Sequence, residues 1–286
     1  MKPLLDVRDL SVTYAPPPKL LGKADPGKVA VRDISFQIKP NQVLALVGES
    51  GSGKSTTGRA LIGLNPASNG EAWFRPSVSR IEADPRLQAL MHSHGRDGSI
   101  NLLDLHRRDW RPLRPALSLI FQDSRAALNP RMKVGDSIAE PLLIHKRARG
   151  LALREKVAHL MKMVELDPSL ASRLPGKLSG GQRQRVCIAR ALALEPQLVI
   201  CDEIVSSLDV LVQKRILTLL ARLQQEVGTS FLFITHDLAV VQDFADRTAV
   251  MKAGQLVEEG ATSEVFQAPR HPYTRTLLKA VPRLAP

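Results

Sequence analysis

Gly48-Glu49-Ser50-Gly51-Ser52-Gly53-Lys54-Ser55-Thr56 is the stretch that decides the fold. It follows the apolar run Val43-Leu44-Ala45-Leu46-Val47 and precedes a stretch that reads as helix, Thr57 to Leu64. A strand, a glycine-rich loop and a helix with Lys-Ser at its first turn form the setting of a phosphate-binding loop. Glycines let the backbone curl so that successive N–H groups point inward, and a helix N-terminus adds partial positive charge. Lys54 then suits β- and γ-phosphates, and the Ser55 hydroxyl suits magnesium. The plain alternative, a glycine-rich turn before an ordinary helix, does not explain the strand, the motif glycines and Lys-Ser in register.

On the N-terminal side, Leu4 to Tyr14 alternates apolar and polar residues and predicts a strand, with Val29 to Ile38 as its hairpin partner. Pro16-Pro17-Pro18 and the Gly22 to Gly27 region predict a loop between them. Tyr14, at the end of the first strand, suits stacking on a base as well as it suits a half-buried strand position. Beyond the loop, Gly70 to Phe74 predicts a short strand. Residues 75–101 are polar and punctuated by Pro and Gly, and predict a surface insertion with a short helix from Pro85 to Met91. His92 and His94 there would need a third ligand to hold a metal, and a solvated loop is the better explanation of them.

Leu117 to Phe121 predicts a buried strand ending at Gln122-Asp123. Apolar residues at helical spacing between Val134 and Leu166 predict a helical subdomain inserted between strands, and Leu178-Ser179-Gly180-Gly181 opens a further helix from about Gln182 to Leu194. Strands and helices then alternate: Leu198–Cys201, Val210–Glu226, Ser230–Ile234, Leu238–Phe244, Thr248–Met251 and Gln255–Glu258. Such alternation implies an α/β fold with a mainly parallel sheet. Residues 262–286 read as a tail with an amphipathic helix near Thr274 to Ala280.

Composition narrows the class. A chain of 286 residues with 44% apolar content supports a large core, and no run reaches the roughly 18 apolar residues of a membrane helix. Met1-Lys2-Pro3-Leu4-Leu5-Asp6 lacks a signal-peptide core, so the expectation is a cytosolic chain. Cys187 and Cys201 lack CxxC spacing, which argues against a disulfide framework or a metal cluster. The net charge of +12 suits nucleic acid, an anionic membrane or simple solubility, and no aromatic-rich strand pair offers a base-stacking platform.

Leu198-Val199-Ile200-Cys201-Asp202-Glu203 is an apolar run closed by two acids. A buried strand ending in Asp beside a phosphate loop can present that carboxylate to magnesium, and Glu203 can orient or deprotonate water. His236 closes the run Phe233-Ile234-Thr235. Parallel strands align their C-terminal ends along one rim, where ligands bind, so Gln122, Asp202 and His236 are expected to share it.

The series Tyr14, Gly48–Thr56, Gln122, Leu178-Ser179-Gly180-Gly181-Gln182, Asp202-Glu203, Ser207-Leu208-Asp209 and His236 resembles the ATP-binding cassette (ABC) ATPases, in order and over nearly the whole chain. Leu-Ser-Gly-Gly-Gln is its most discriminating part. Phe121-Gln122-Asp123, Leu128-Asn129-Pro130-Arg131, Ile200-Cys201-Asp202-Glu203 and His271-Pro272-Tyr273-Thr274 with Ala280-Val281-Pro282 are similar to the oligopeptide/dipeptide/nickel importer branch. Ile204-Val205 departs from the Pro-Thr common after the acidic pair, and the tail has no cysteines for an iron–sulphur cluster.

The resemblance implies a phosphate-loop NTPase fold. It comprises a mainly parallel core sheet, an antiparallel β subdomain and an inserted helical subdomain at about 124–195, within an ATPase domain of 1–261 followed by the 262–286 tail. It implies ATP and Mg2+ as ligands. Tyr14 would stack on adenine, and Gly48, Glu49, Ser50, Gly51, Ser52, Gly53, Lys54, Ser55 and Thr56 would cradle the phosphates. Ser55, Gln122 and Asp202 would manage the metal, Glu203 would polarise water, and His236 would steady the γ-phosphate. Ser179, Gly180, Gly181, Gln182 and Asp209 would serve the nucleotide of a second ATPase subunit, identical or paralogous. Two integral-membrane permease subunits and an extracytoplasmic solute-binding protein complete the implied assembly, with this chain peripheral on the cytoplasmic face of the inner membrane. The alternatives are a nickel or other-solute importer, or a soluble ABC ATPase acting on nucleic acid or ribosomes. Those soluble proteins generally carry two cassettes or a long coiled-coil insertion, so no nucleic acid is expected here.

Overall fold

The computed structural model describes residues 2–14 and 27–280. The expected proline-rich loop at 16–18 with most of the Gly22–Gly27 region, and Val281-Pro282 of the tail motif, lie outside them. In chain order the strands and helices are β1 (Leu5–Tyr14), β2 (Lys28–Ile38), β3 (Val43–Val47), α1 (Lys54–Leu61), β4 (Asn69–Phe74), α2 (Val78–Ala83) and α3 (Pro85–His94). They continue with β5 (Gly95–Arg96), β6 (Ser99–Asn101), β7 (Leu117–Ile120), α4 (Val134–Ile144), α5 (Gly150–Met163), α6 (Gly180–Leu192) and β8 (Leu198–Asp202). The remainder is α7 (Val210–Val227), β9 (Ser230–Thr235), α8 (Ala239–Gln242), β10 (Arg247–Lys252), β11 (Gln255–Ala261), α9 (Thr262–Gln267) and α10 (Pro272–Lys279). These elements form two compact units, residues 1–113 with 232–286 and residues 114–231.

The first unit holds an antiparallel sheet in the order β2-β1-β4-β6-β5. The hairpin expected for the first two strands is present, with Leu5 opposite Ile38 and Tyr14 opposite Lys28. Residues 75–101 differ from a polar surface insertion. They form two helices and two strands, β6 pairs with β4 at Phe74↔Ile100, and Leu87, Leu90 and Ile100 are buried. The apolar residues there are too widely spaced among charges for periodicity to reveal them.

The same unit carries β3, whose five residues are all buried, as befits a strand covered on both faces. β10 runs parallel to it, from Arg247↔Leu44 to Val250↔Val47, and β11 adds antiparallel to β10. Residues 262–280 are part of this core. Val265 and Tyr273 pack with Ala45, Val47, Val241 and Val250, and α9 is a helix that the sequence pattern did not predict.

In the second unit β7 pairs parallel with β8, from Leu117↔Leu198 to Ile120↔Cys201. α4, α5 and α6 pack on one another. α7 is amphipathic, burying Ile216, Leu219, Leu220 and Leu223 at helical spacing. It starts at Asp209, whose carboxylate accepts the Val212 N–H at 3.0 Å, and stops at Gly228 in the left-handed conformation.

Candidate nucleotide site

The phosphate loop, in the first unit, is built as its sequence requires. Lys54 is 3% exposed, and its Nζ donates to the carbonyls of Gly48 and Glu49, each at 2.8 Å. The ammonium thus holds the mouth of the loop closed from within. At Gly48, φ is 155° and an added Cβ would stand 2.1 Å from the Met251 carbonyl oxygen, so no side chain fits. The loop is also gripped from the β10–β11 turn, where the Gly254 N–H donates to the Ser52 carbonyl at 3.0 Å. The buried Ser52 hydroxyl has no hydrogen-bond partner, a polar atom left for a ligand or water. Glu49, Ser50 and Gly51 are exposed, Gly53 is the N-cap residue of α1, and Ser55 and Thr56 stand in that helix's first turn. A curled backbone, a helix N-terminus and a buried cation are together suited to an oxyanion.

Tyr14 lies at the end of β1, 45% exposed. Its hydroxyl lies 3.1 Å from Thr56 Oγ1 and accepts from Asn65 Nδ2 at 2.9 Å, which fixes an exposed ring beside the loop helix. His236 follows β9 and is exposed. His92 and His94 are exposed at the end of α3; His92 Nδ1 meets the Gln88 carbonyl at 2.9 Å and His94 Nδ1 the Ser93 hydroxyl at 2.8 Å. Among the described residues no three His, Cys, Asp or Glu side chains cluster as a metal site.

The second unit brings together Gln122 and Glu203, with Nε2 donating to Oε2 at 3.1 Å. Asp202 ends β8 with 1% exposure. Glu203 has φ of 49°, a left-handed conformation that costs a non-glycine residue about 1–3 kcal/mol. The following turn holds it there: Ser206 donates to the Glu203 carbonyl through its N–H at 3.2 Å and its hydroxyl at 2.9 Å. Ile204 and Val205, the departure from Pro-Thr, are fully buried. Ser206 is absent from the sequence-level site because a serine beside Ser207 carries no periodic signal.

Ser179 and Gln182 form a capping box at α6. The serine hydroxyl accepts the Gln182 N–H at 3.2 Å, and the Gln182 side chain accepts the Ser179 N–H at 2.9 Å. Gly181 meets α7 so closely that a Cβ would lie 2.8 Å from Val212 Cγ1, and Gly180 faces Leu208. The glycines therefore let the start of α6 pack against the segment opened by Leu208 and Asp209. Cys187 and Cys201 are buried free thiols; burial pushes Cys187 up to about 11 and Cys201 higher still.

One residue at the loop was quoted in the sequence only as part of a family motif. Tyr273 of α10 accepts the Glu49 N–H at 3.2 Å. Burial raises its phenol above the ordinary value, so it stays neutral at physiological pH.

A family model described as ABC transporter matches residues 31–206, and one described as oligopeptide/dipeptide transporter, C-terminal region, matches residues 257–286. The chain is 46% identical over 281 residues to the glutathione import ATP-binding protein GsiA of Pectobacterium atrosepticum, covering 98% of this chain and 41% of that protein. It is 45% identical over 285 residues to the Shigella flexneri protein of the same name, covering 100% and 42%. The chain thus spans about two fifths of the length of these relatives. Among solved structures, CbiO1 of Clostridium perfringens, part of an ABC transporter complex, matches with TM-score 0.74 and 26% identity over 94% of this chain and 92% of that one. A dimeric post-hydrolysis state of the ATP-binding cassette MJ0796 with ADP and Pi matches with TM-score 0.71 and 26% identity, over 90% and 98%.

Proposed function

Because the chain belongs to the ABC transporter family, we propose that it is the ATP-binding and hydrolysing subunit of an importer for oligopeptides, dipeptides or a related peptide-like solute. One observation carries the solute class: the oligopeptide-type C-terminal region stands on the same chain as the cassette. Similarity to glutathione import proteins, whose named solute is itself a small peptide, supports it.

In this reading the loop amides and Lys54 bind the β- and γ-phosphates, and Tyr14 offers its exposed ring to adenine. Ser55, Gln122 and Asp202 are oxygen donors of the hard kind that magnesium takes. With Gln122 Nε2 engaged by Glu203, its carbonyl oxygen is the end left for a cation. Bound magnesium would neutralise charge on the β- and γ-phosphate oxygens. Glu203, held by Gln122 and Ser206, orients a water and takes its proton, and His236 donates to the γ-phosphate. Ser179, Gly180, Gly181, Gln182 and Asp209 serve the nucleotide of a second cassette, identical or paralogous, through helix N-terminal amides. Closure on ATP and opening after hydrolysis drive two integral-membrane permease subunits supplied by a solute-binding protein.

We assign residues 1–261 to the ATPase domain and about 124–195 to its helical subdomain, the docking surface for the permease. Leu143, Ile144 and Leu151 support that surface, since all three are strongly exposed apolar residues at α4 and α5. We place the chain peripherally, on the cytoplasmic face of the inner membrane, as the proposed ATPase role beside permease subunits requires; no helix of the described residues is long and apolar enough to cross a membrane. The test is reconstitution with co-purifying permease subunits in vesicles. ATP-driven uptake of labelled glutathione or dipeptide, lost in Glu203→Gln, is expected. Co-purification with RNA, and with no membrane protein, would refute the assignment.

A further inference from the structure

The Glu49 N–H, at the entrance of the phosphate loop, donates to the Tyr273 hydroxyl 224 residues further along the chain. Nothing in a phosphate-loop fingerprint calls for that contact. The tyrosine is held from every side. Its ring is 7% exposed among Ala45, Val47 and Val250, and Lys252 Nζ stands 4.7 Å from the ring centroid. The turn before it is pinned to β11, where the Glu258 carboxylate accepts the Arg270 N–H at 2.7 Å and the His271 N–H at 3.0 Å. His271 Nδ1 accepts the Tyr273 N–H at 3.1 Å, and Pro272 starts the helix with its φ already set. His271, Pro272 and Tyr273 together aim one hydroxyl at one amide.

We propose that Tyr273 is a positioning residue for the phosphate loop, and that the C-terminal segment thereby sets the loop's affinity for a nucleoside triphosphate. This rests on the reading of the loop as an ATP site. Lys54 and Tyr273 meet at Glu49 by different atoms: the ammonium takes the Gly48 and Glu49 carbonyls, and the phenol takes the Glu49 amide. When phosphates arrive, the ammonium must turn donors toward them and relax its grip on the carbonyls. The phenol makes no such exchange. Its bond, with that of the Ser52 N–H to the Glu49 carbonyl at 3.2 Å, keeps the loop entrance in place while Lys54 changes partners.

Tyr273→Phe removes the oxygen and keeps the ring, its packing and its contact with Lys252. Losing one neutral hydrogen bond predicts an ATP dissociation constant raised about 2- to 10-fold, with faster hydrogen exchange at the Glu49 amide. Leu277→Ala is the comparison, because Leu277 packs on the same core cluster with a side chain that can offer the loop no hydrogen bond. It is expected to lower the melting temperature and leave ATP affinity within twofold. Equal affinity for wild type and Tyr273→Phe, while Lys54→Ala loses ATP, would overturn the proposal and leave the ATP site standing. An equal loss of affinity in Leu277→Ala would also overturn it, by reducing Tyr273 to packing. A wild-type chain that binds no ATP would bring down the ATP-site reading and the proposal with it.

Discussion

Replacing Lys54 by alanine perturbs the loop in two measurable ways. In the free chain the ammonium makes two charge-assisted bonds to carbonyls, each 2.8 Å and each contributing about 1.5–3 kcal/mol gross. Keeping a cation almost wholly buried offsets much of that sum, so the net loss of folding stability is about 1–3 kcal/mol. The loss in ATP affinity is a difference as well, because the ammonium gives up carbonyl partners to gain phosphate oxygens. That exchange of neutral for anionic acceptors is worth roughly one charge-assisted bond, about 1.5–3 kcal/mol, or about 10- to 150-fold in dissociation constant. Titration with a fluorescent ATP analogue measures the second effect and thermal denaturation without nucleotide the first. Lys54→Ala with unchanged ATP affinity would refute the assignment of the loop. Lys54→Ala with unchanged melting temperature would refute the closure of its mouth by the ammonium.

Three further outcomes follow from particular side chains. Ile100→Ala should destabilise the chain by about 2–5 kcal/mol in denaturant titration, because Ile100 is fully buried in β6, and a neutral result would restore the surface-insertion reading of 75–101. The Glu258 carboxyl has burial acting to raise it, yet the Arg270 and His271 amides hold it below the ordinary 4.5. A depressed carboxyl contributes stability above its unfolded value and loses it as pH falls through the folded one, so the melting-temperature gap between wild type and Glu258→Gln should be present at pH 6 and close below about pH 4.5; a gap independent of pH would refute this. Cys187 and Cys201 should resist iodoacetamide in the native chain at pH 8 and react in denaturant, read by mass spectrometry, since both thiols are buried and held protonated.

The sequence made the loop, the acidic strand end and the helix opening at Leu178 to Gly181 legible because each rests on local chemistry. Gly48 to Thr56 carries its geometry in its glycines, Ser179 and Gln182 are spaced for mutual capping, and an apolar run ending in Asp202 reads as a buried strand. Contacts between distant parts of the chain were not legible. No periodicity links Glu49 to Tyr273, and only the folded unit shows the tail motif turned toward the loop. The left-handed Glu203 was hidden for a similar reason, since its φ is imposed by Ser206 and the buried Ile204 and Val205 rather than by glutamate's own preference. Residues 75–101 read as polar surface because their buried apolar side chains, Leu87, Leu90 and Ile100, are only three within a polar composition.

The composite-site claim is tested most directly by light scattering on Glu203→Gln with ATP and no magnesium, alone and mixed with a candidate partner cassette. Glu203→Gln keeps the shape of the side chain and removes the base, so unhydrolysed ATP should convert monomers to dimers. Adding Ser179→Arg should return them to monomers, by losing the cap and placing a cation at a helix N-terminus. A size independent of ATP under every pairing, or a dimer indifferent to Ser179→Arg, would contradict the composite site.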